Sequence, residues 1–454
     1  MPTPSQPSRP ESDGCISLFV FPRELIDSIV EDTRGLGDND STLRSLAITC
    51  KDILDICRPL LFEKVTITSG RDYTALLSAL RNDSSVISMV HNVRVEFLQQ
   101  DFDSTFQHTS RARVFRQLSE VRKLSLGSPL GSRCRSNPED VNCSLQPIKS
   151  LVPMLSSKAL VSLSIVFFSL PSSIFSLCTN LKELNIQMGC IVECPVESSP
   201  SGEVERPQLE ALSINHTAQS RWPVPGGSRY TAADDKLAFP DLKNLQHLKA
   251  WFPDYVLRSI IDEPEGLKSL HLQVRAHNVD QLETFLSKEL FRSNPNKRRS
   301  LKNLTVEVLC LERGFDIEKG LDLEQVLPKF IRPLACLKNV ERFEFIGVFE
   351  SPLMIEGFKN AMCPVSRDFA HTFLESVGAC NMGTMLTELN IKIACKEDVS
   401  APGSPNGREF ANIMQQASNI LSRVGEQAVA DIFAAAGIRL SIQYDSMLEE
   451  LTAA

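Results

Sequence analysis

The chain has 454 residues, of which 42% are hydrophobic and 23% charged, and its formal net charge is -8. That composition is ordinary for a globular chain able to bury a large core. The acidic balance excludes the basic stripe of a nucleic-acid-binding surface, and no apolar run approaches the ~20 residues that span a bilayer. Thirteen cysteines with no Cys-x-x-Cys read as buried reduced thiols rather than a disulfide framework. The Cys134/Cys143 and Cys190/Cys194 spacings lack the His or Cys pair that would complete a metal site.

Residues 1–15 are rich in Pro and Ser and lack an apolar signal core, so a disordered tail is expected there rather than a signal peptide. Order is expected from residue 16. Pro22 suits a first helical position, and Leu25, Ile26, Ile29 and Val30 then share one helix face. A second helix begins at Asp40 or Ser41 and turns Leu43, Leu46, Ala47 and Cys50 inward. A third, over residues 52–57, is expected to stop near Arg58 and Pro59, and residues 60–67 then run into a strand. Three short helices make a small core. They should pack on the next segment or on a partner.

From about residue 68 the pattern becomes alternating helix and strand. A hexapeptide recurs: apolar, two variable residues, Leu, one variable residue, apolar. Leu181, Leu184 and Ile186 form one copy; Leu209, Leu212 and Ile214, then Leu267, Leu270 and Leu272, form others. Leu301, Leu304 and Val306 repeat the code, as do Leu386, Leu389 and Ile391. The fourth and sixth positions share one face of a strand, while the first is out of phase and must turn inward where the chain joins the strand. Ten such anchors occur, at residues 90, 121, 160, 181, 209, 245, 267, 301, 340 and 386, spaced 21 to 46 residues apart. Helical stretches are expected at 71–82, 145–156, 255–262, 279–291, 323–331 and 367–377. Strand-then-helix repetition predicts parallel neighbours and right-handed crossovers, an α/β array in which each unit completes its core on the next.

Residues 193–207, 218–235 and 396–406 are rich in Pro, Gly, Ser and charge and read as loops. Beyond them, residues 408–436 carry Phe410, Ile413, Met414, Ala417, Ile420, Leu421 and Val424 at helical spacing. A helical cap over the open end of the array is expected, with a groove-binding helix as the alternative.

The hexapeptides resemble leucine-rich repeats. The ninth position, Asn or Cys in that family, holds Gly189, Thr217, Arg275, Leu309 and Ala394 here, which implies an irregular solenoid. The segment with Phe21, Pro22, Glu24, Leu25, Ile26 and Ile29, then Leu43, Leu46 and Lys51, then Leu60, Leu61 and Phe62 resembles an F-box. Phe21 stands where that family opens with Leu, and Ile53 stands near a common Trp position. Its order with the repeats is similar to fungal F-box proteins with degenerate leucine-rich repeats. The resemblance implies a tail at 1–15, an F-box-like helical module at 16–66, an irregular leucine-rich-repeat solenoid at 67–396, and a linker with a helical cap at 397–454. It also implies a Skp-type adaptor and cullin ligase as partners, docked on Phe21, Pro22, Leu25, Ile26, Ile29, Leu43 and Leu46. Two readings of these residues stand side by side: adaptor docking, or a helical cap on the first end of a free-standing interaction scaffold.

The strand side chains facing away from the core are polar and of mixed sign. Glu183, Asn185, Lys268, His271 and Glu388 are the candidate contacts to a protein substrate, with Glu210, Ser213, Asn303, Thr305 and Asn390 beside them. The seven histidines are scattered, and no nucleophile elbow, phosphate-cradling Gly loop or metal-binding spacing occurs. No catalytic residue, cofactor or metal is expected, nor a nucleic-acid or membrane partner. Without a secretory signal the expected location is cytoplasmic or nuclear.

Overall fold

The structure is a computed structural model. Its described residues are 39–48, 51–97, 112–127, 146–166, 169–187, 190–192, 206–215, 240–253, 260–290, 299–310, 339–349, 385–396 and 426–447, together with residues 28, 30, 257, 329, 330, 333, 337, 371, 374 and 375. Two helices come first, α1 (Asn39–Ala47) and α2 (Lys51–Glu63), and lead directly into β1 (Lys64–Ile67). Then follow α3 (Gly70–Asn82), α4 (Ser85–Met89), β2 (Asn92–Glu96), β3 (Lys123–Gly127), α5 (Gln146–Leu155), β4 (Ser162–Val166), β5 (Ser169–Pro171), β6 (Glu183–Gln187), β7 (Cys190–Val192) and β8 (Ala211–Asn215). The later strands are longer: β9 (His247–Phe252), β10 (Ser269–Arg275), β11 (Asn303–Cys310), β12 (Arg342–Phe349), β13 (Glu388–Lys396) and β14 (Arg439–Met447). Helix α6 (Val279–Thr284) follows β10, and α7 (Glu426–Ala435) precedes β14.

Twelve of these strands form one sheet, in chain order apart from β5 and β7, which pair with each other outside it. Every pairing is parallel. The fold is thus α/β, with the one-after-another strand order of a solenoid-like array.

The hexapeptide code explains the register. Leu163, Leu184, Leu212, Leu248, Leu270, Leu304, Phe343 and Leu389 fall in one row across the sheet, and Ile165, Ile186, Ile214, Ala250, Leu272, Val306, Phe345 and Ile391 in the next inward row. All of them are buried, and all ten anchor residues are 4% exposed or less. They share one continuous core with Leu76 and Leu80 of α3, Leu151 and Met154 of α5, Leu282 of α6 and Phe433 of α7. These helices therefore cover one face of the sheet, and among the described residues no helix shares a core with the other.

A repeated hydrogen bond shows how the anchor turns inward. The carbonyl one residue after nine of the ten anchors accepts two N–H groups from the following unit. Val161 O takes Lys182 and Glu183; Lys182 O takes Glu210 and Ala211; Glu210 O takes Gln246 and His247; Gln246 O takes Lys268 and Ser269; Lys268 O takes Lys302 and Asn303. One acceptor serving two successive donors shifts the side-chain phase by one residue, so the anchor and the strand's inward rows reach the same core.

Asparagines just before the anchors tie neighbouring turns together. Asn180 Nδ2 donates to Lys158 O at 2.8 Å, Asn244 Nδ2 to Gln208 Oε1 at 2.7 Å, and Asn339 Nδ2 to Arg299 O at 2.7 Å. At α3 the Asp72 carboxylate reaches back to the Ser69 and Thr68 backbone N–H groups, each at 2.8 Å. The Thr68 N–H bond foremost, with the Thr68 and Ser69 hydroxyls and the Ser69 N–H, outweighs burial and holds its pKa below the ordinary carboxylate value.

Two expectations are corrected. The third helix does not stop at Arg58: α2 runs to Glu63 with Pro59 inside it. A proline costs one intrahelical bond, and here the second half of the helix is held by Cys57, Leu60 and Leu61 packing on Leu43, Ala47 and Ile53. The strand expected to follow that helix is present as β1, where Phe62, Val65 and Ile67 are an eleventh copy of the hexapeptide. The array does not end at residue 396 under a purely helical cap, because β14 continues the sheet beside β13. Gly437, at φ 75, makes the turn. Its N–H donates to Ala434 O and that of Ile438 to Phe433 O, at 2.9 Å each, the paired bonds of a Schellman helix end. Buried Ile438 beside Phe433 supplies the apolar contact of that motif.

Of the remaining expected helices, 279–291 is present as α6 followed by a π-helical turn, Phe285–Glu289. Those at 255–262, 323–331, 367–377 and 408–425 fall largely or wholly outside the described residues.

Candidate protein-interaction face

The helix-free face of the sheet carries the alternate side chains of each strand. Along the short strands it is small and polar: Arg94, Ser125, Ser164, Asn185 and Ser213 share one row. Asn185 Nδ2 donates to Ser164 Oγ at 3.3 Å, and Asn185 Oδ1 is buried with no hydrogen-bond partner among the described residues.

Along β9–β12 the face changes. Lys249, His271, Thr305 and Glu344 continue the same row, and Trp251, Gln273, Glu307 and Ile346 form the next. Glu307 is only 7% exposed. His271 Nε2 lies 2.8 Å from its Oε2, Gln273 Nε2 donates to that oxygen at 2.9 Å, and Lys249 Nζ stands 3.7 Å away. An ionised carboxylate only accepts, so Nε2 carries the imidazole proton at this contact.

Burial opposes the charge on Glu307. The His271 hydrogen bond, the cationic Lys249 and the Gln273 amide together outweigh it and hold the carboxyl below its ordinary range. The carboxylate is thus kept ionised in a place where water is scarce. Gln273 Oε1 remains a buried acceptor with no partner among the described residues, which leaves the cluster one donor short.

The Arg275 guanidinium lies 5.9 Å from the Trp251 ring centroid, beside the cluster. Thr305 Oγ1 donates to Glu344 at 3.2 Å on its other side. Next to it Ile346 and Val348 face the same way and are buried with Leu309 packed on them. Aromatic, arginine and fixed polar groups around a small apolar patch are the composition of a recognition surface. Among the described residues no group of three or more His, Cys, Asp or Glu side chains could hold a metal ion, and no helix is long and apolar enough to cross a membrane.

The sequence-derived contact residues do not form one site. His271 belongs to the Glu307 cluster. Glu183 and Asn185 stand on β6, three strands away in the sheet; Glu183 is exposed and Asn185 half-buried. Glu388 lies on β13, three strands the other way, with Arg342 Nε at 2.8 Å and Arg439 also bonded to it. Lys268 and Glu210 are not on the face at all. Each is the residue whose carbonyl takes two N–H groups, one position ahead of the strand, and its side chain lies along the strand-start edge. That phase shift is why simple alternation misplaces them.

Lys249, Trp251, Gln273, Arg275 and Glu307 were not among the expected residues. Their sequence signal is a charge inside an otherwise apolar alternation: Glu307 sits between Val306 and Val308.

At the N-terminal end Leu43 is buried and Leu46 half-buried, in a small cluster with Val30, Ala47, Ile53 and Cys57. Phe21, Pro22, Leu25, Ile26 and Ile29 lie outside the described residues. Ile48 is 85% exposed and Leu54 39%. Cys57 and Cys178 are buried free thiols, and burial pushes the Cys178 thiol up to about 12, which leaves it unreactive. No protein-family model matches the chain, and no curated protein shows a significant match to it.

Proposed function

We propose that the chain is a non-catalytic substrate-recognition adaptor of a cullin-type (SCF) ubiquitin ligase, working in the cytoplasm or nucleus. The segment at 16–66 is an F-box-like module that docks on a Skp-type adaptor, and the irregular leucine-rich-repeat solenoid after it holds a protein substrate. One observation carries the reading: a long parallel array with a polar recognition face is preceded by a helix pair whose small apolar cluster is distinct from the main core and leaves Ile48 and Leu54 exposed. An apolar side chain exposed on a helical module suits a partner groove. The substrate contacts the face around Glu307, where the desolvated polar groups and the Trp251–Arg275 pair supply specificity.

A free-standing scaffold is the second reading. It is favoured by the way the helix pair is tied to the first repeat: α2 runs into β1 without a loop, Arg58 pairs with Asp83, and His91 N donates to Glu63 O at 3.2 Å.

Co-precipitation with a Skp-type adaptor separates the two. Wild type should be retained; Ile48→Asp, and independently Leu25→Asp with Ile29→Asp, should weaken capture by roughly 2 kcal/mol or more. Wild type that captures no adaptor would favour the scaffold.

A further inference from the structure

The edge of the sheet where the strands begin holds a second surface, separate from the helix-free face. An open groove of about 1030 Å³ runs along the turns before β4, β6, β8, β9 and β10. Among the described residues Lys158, Lys182, Arg206, Lys243 and Lys268 line it, against two carboxylates, Glu210 and Glu265. Lys182 is paired with Glu210 at 2.7 Å. Among the described residues the other four cations have no ion-pair partner. A surplus of positive charge in a groove of a chain whose net charge is -8 is a local feature, and it is built by the repeat. Lys182, Glu210, Gln246 and Lys268 occupy the same position, one residue after the anchor, in successive units; Lys158 and Lys243 precede their anchors by two residues.

We infer that this groove binds an extended acidic segment of a partner protein, laid across the strand starts. Charge complementarity selects the sign. Five neighbouring strands at ~4.8 Å spacing make a track of about 19 Å, which suits about six residues of extended polypeptide at ~3.3 Å each. Among the described residues no aromatic side chain lines the groove, and with them alone it lacks the stacking platform with which single-stranded nucleic acid is held. Thr179, Gln208 and Gln246 on its walls offer polar partners to a peptide backbone. The inference does not depend on adaptor docking by the N-terminal module, since the groove lies wholly within the strand array.

The test is fluorescence anisotropy of the full chain with a fluorescein-labelled octaglutamate peptide at low salt. Wild type should bind, and binding should weaken steeply as salt rises. Lys243→Glu with Lys268→Glu should weaken binding at least about tenfold, with an unchanged thermal midpoint showing the chain folded. Lys243→Ala with Lys268→Ala provides the milder version should the double reversal unfold. Lys64→Glu reverses an exposed charge on β1, away from the groove, and should leave binding within about twofold of wild type. Three results would overturn the inference: no binding by wild type, equal loss in the Lys64→Glu control, or an oligothymidylate of equal charge bound as tightly as the peptide.

Discussion

The first half of the sheet and the second are built on one core code and carry two different faces. From β2 to β8 the strands paired in the main sheet have five residues each; from β9 to β14 they lengthen from six to nine. The inward rows are equally buried in both, so length is not what holds the core together. The difference lies beyond the hexapeptide. In the later units the apolar alternation continues, as in Leu270, Leu272 and Val274 or Leu304, Val306 and Val308, and the strand runs on past its fifth residue. That fifth residue is Gln273 in β10 and Glu307 in β11, both buried, whereas the fifth residues of the short strands β6 and β8, Gln187 and Asn215, are only half-buried. A repeat sets the scaffold, and desolvated polar groups gather where the strands lengthen.

The largest effect should be the same in both halves. Leu163→Ala on a short strand and Leu304→Ala on a long one each remove a fully buried side chain from the same row, at a cost of roughly 2–5 kcal/mol. Chemical denaturation measures both. A large cost in one half and almost none in the other would break the claim of a shared code.

Glu307 sharpens the contrast between the faces. Glu307→Ala strips His271, Gln273 and Lys249 of their common partner in a buried site, and should destabilise by about 1–3 kcal/mol. Glu210→Ala removes an exposed ion-pair partner on the short half's edge and should cost no more than about 1 kcal/mol. The pH dependence follows from the same carboxylate. Its pKa in the folded chain is lowered from 4.5, so the unfolded chain binds the proton more tightly. The stability it contributes is present above 4.5 and is lost as pH falls through the lower, folded value. Glu307→Gln should flatten that part of the acid unfolding curve; an unchanged curve would mean that the cluster does not hold the carboxylate ionised.

A smaller effect belongs to the first repeat. Asp72→Ala should cost about 1 kcal/mol, because the carboxylate satisfies the Thr68 and Ser69 N–H groups at the start of α3. Hydrogen exchange at those two amides should rise while β10 and β11 stay protected. Equal loss at both places would mean that the array opens as a whole instead of unit by unit.

Much of the fold was legible because apolar spacing is a burial signal, and all ten anchors it picked out are in the core. The C-terminal end escaped for a physical reason: Gly437 occupies the anchor position, where an apolar residue cannot adopt the positive φ that the turn requires. The candidate face was legible only through His271. Glu307 and Gln273 are polar residues like many others until the register sets them side by side, and no sequence period shows that Lys249 of a separate unit completes their charge. Lys268 and Glu210 were placed on the wrong surface because a doubled hydrogen bond to one carbonyl changes the phase without changing the sequence pattern.

The central claim is that the helical segment before the array is a docking module and the array a recognition surface. Isothermal titration of a recombinant Skp-type adaptor into the full chain tests it most directly. The account predicts one-to-one binding with a negative heat-capacity change, the mark of apolar burial, and its loss in Ile48→Asp with the thermal midpoint retained. Wild-type protein that is folded and gives no binding heat at any temperature tried, and no complex on gel filtration, would contradict the ligase account and leave an interaction scaffold.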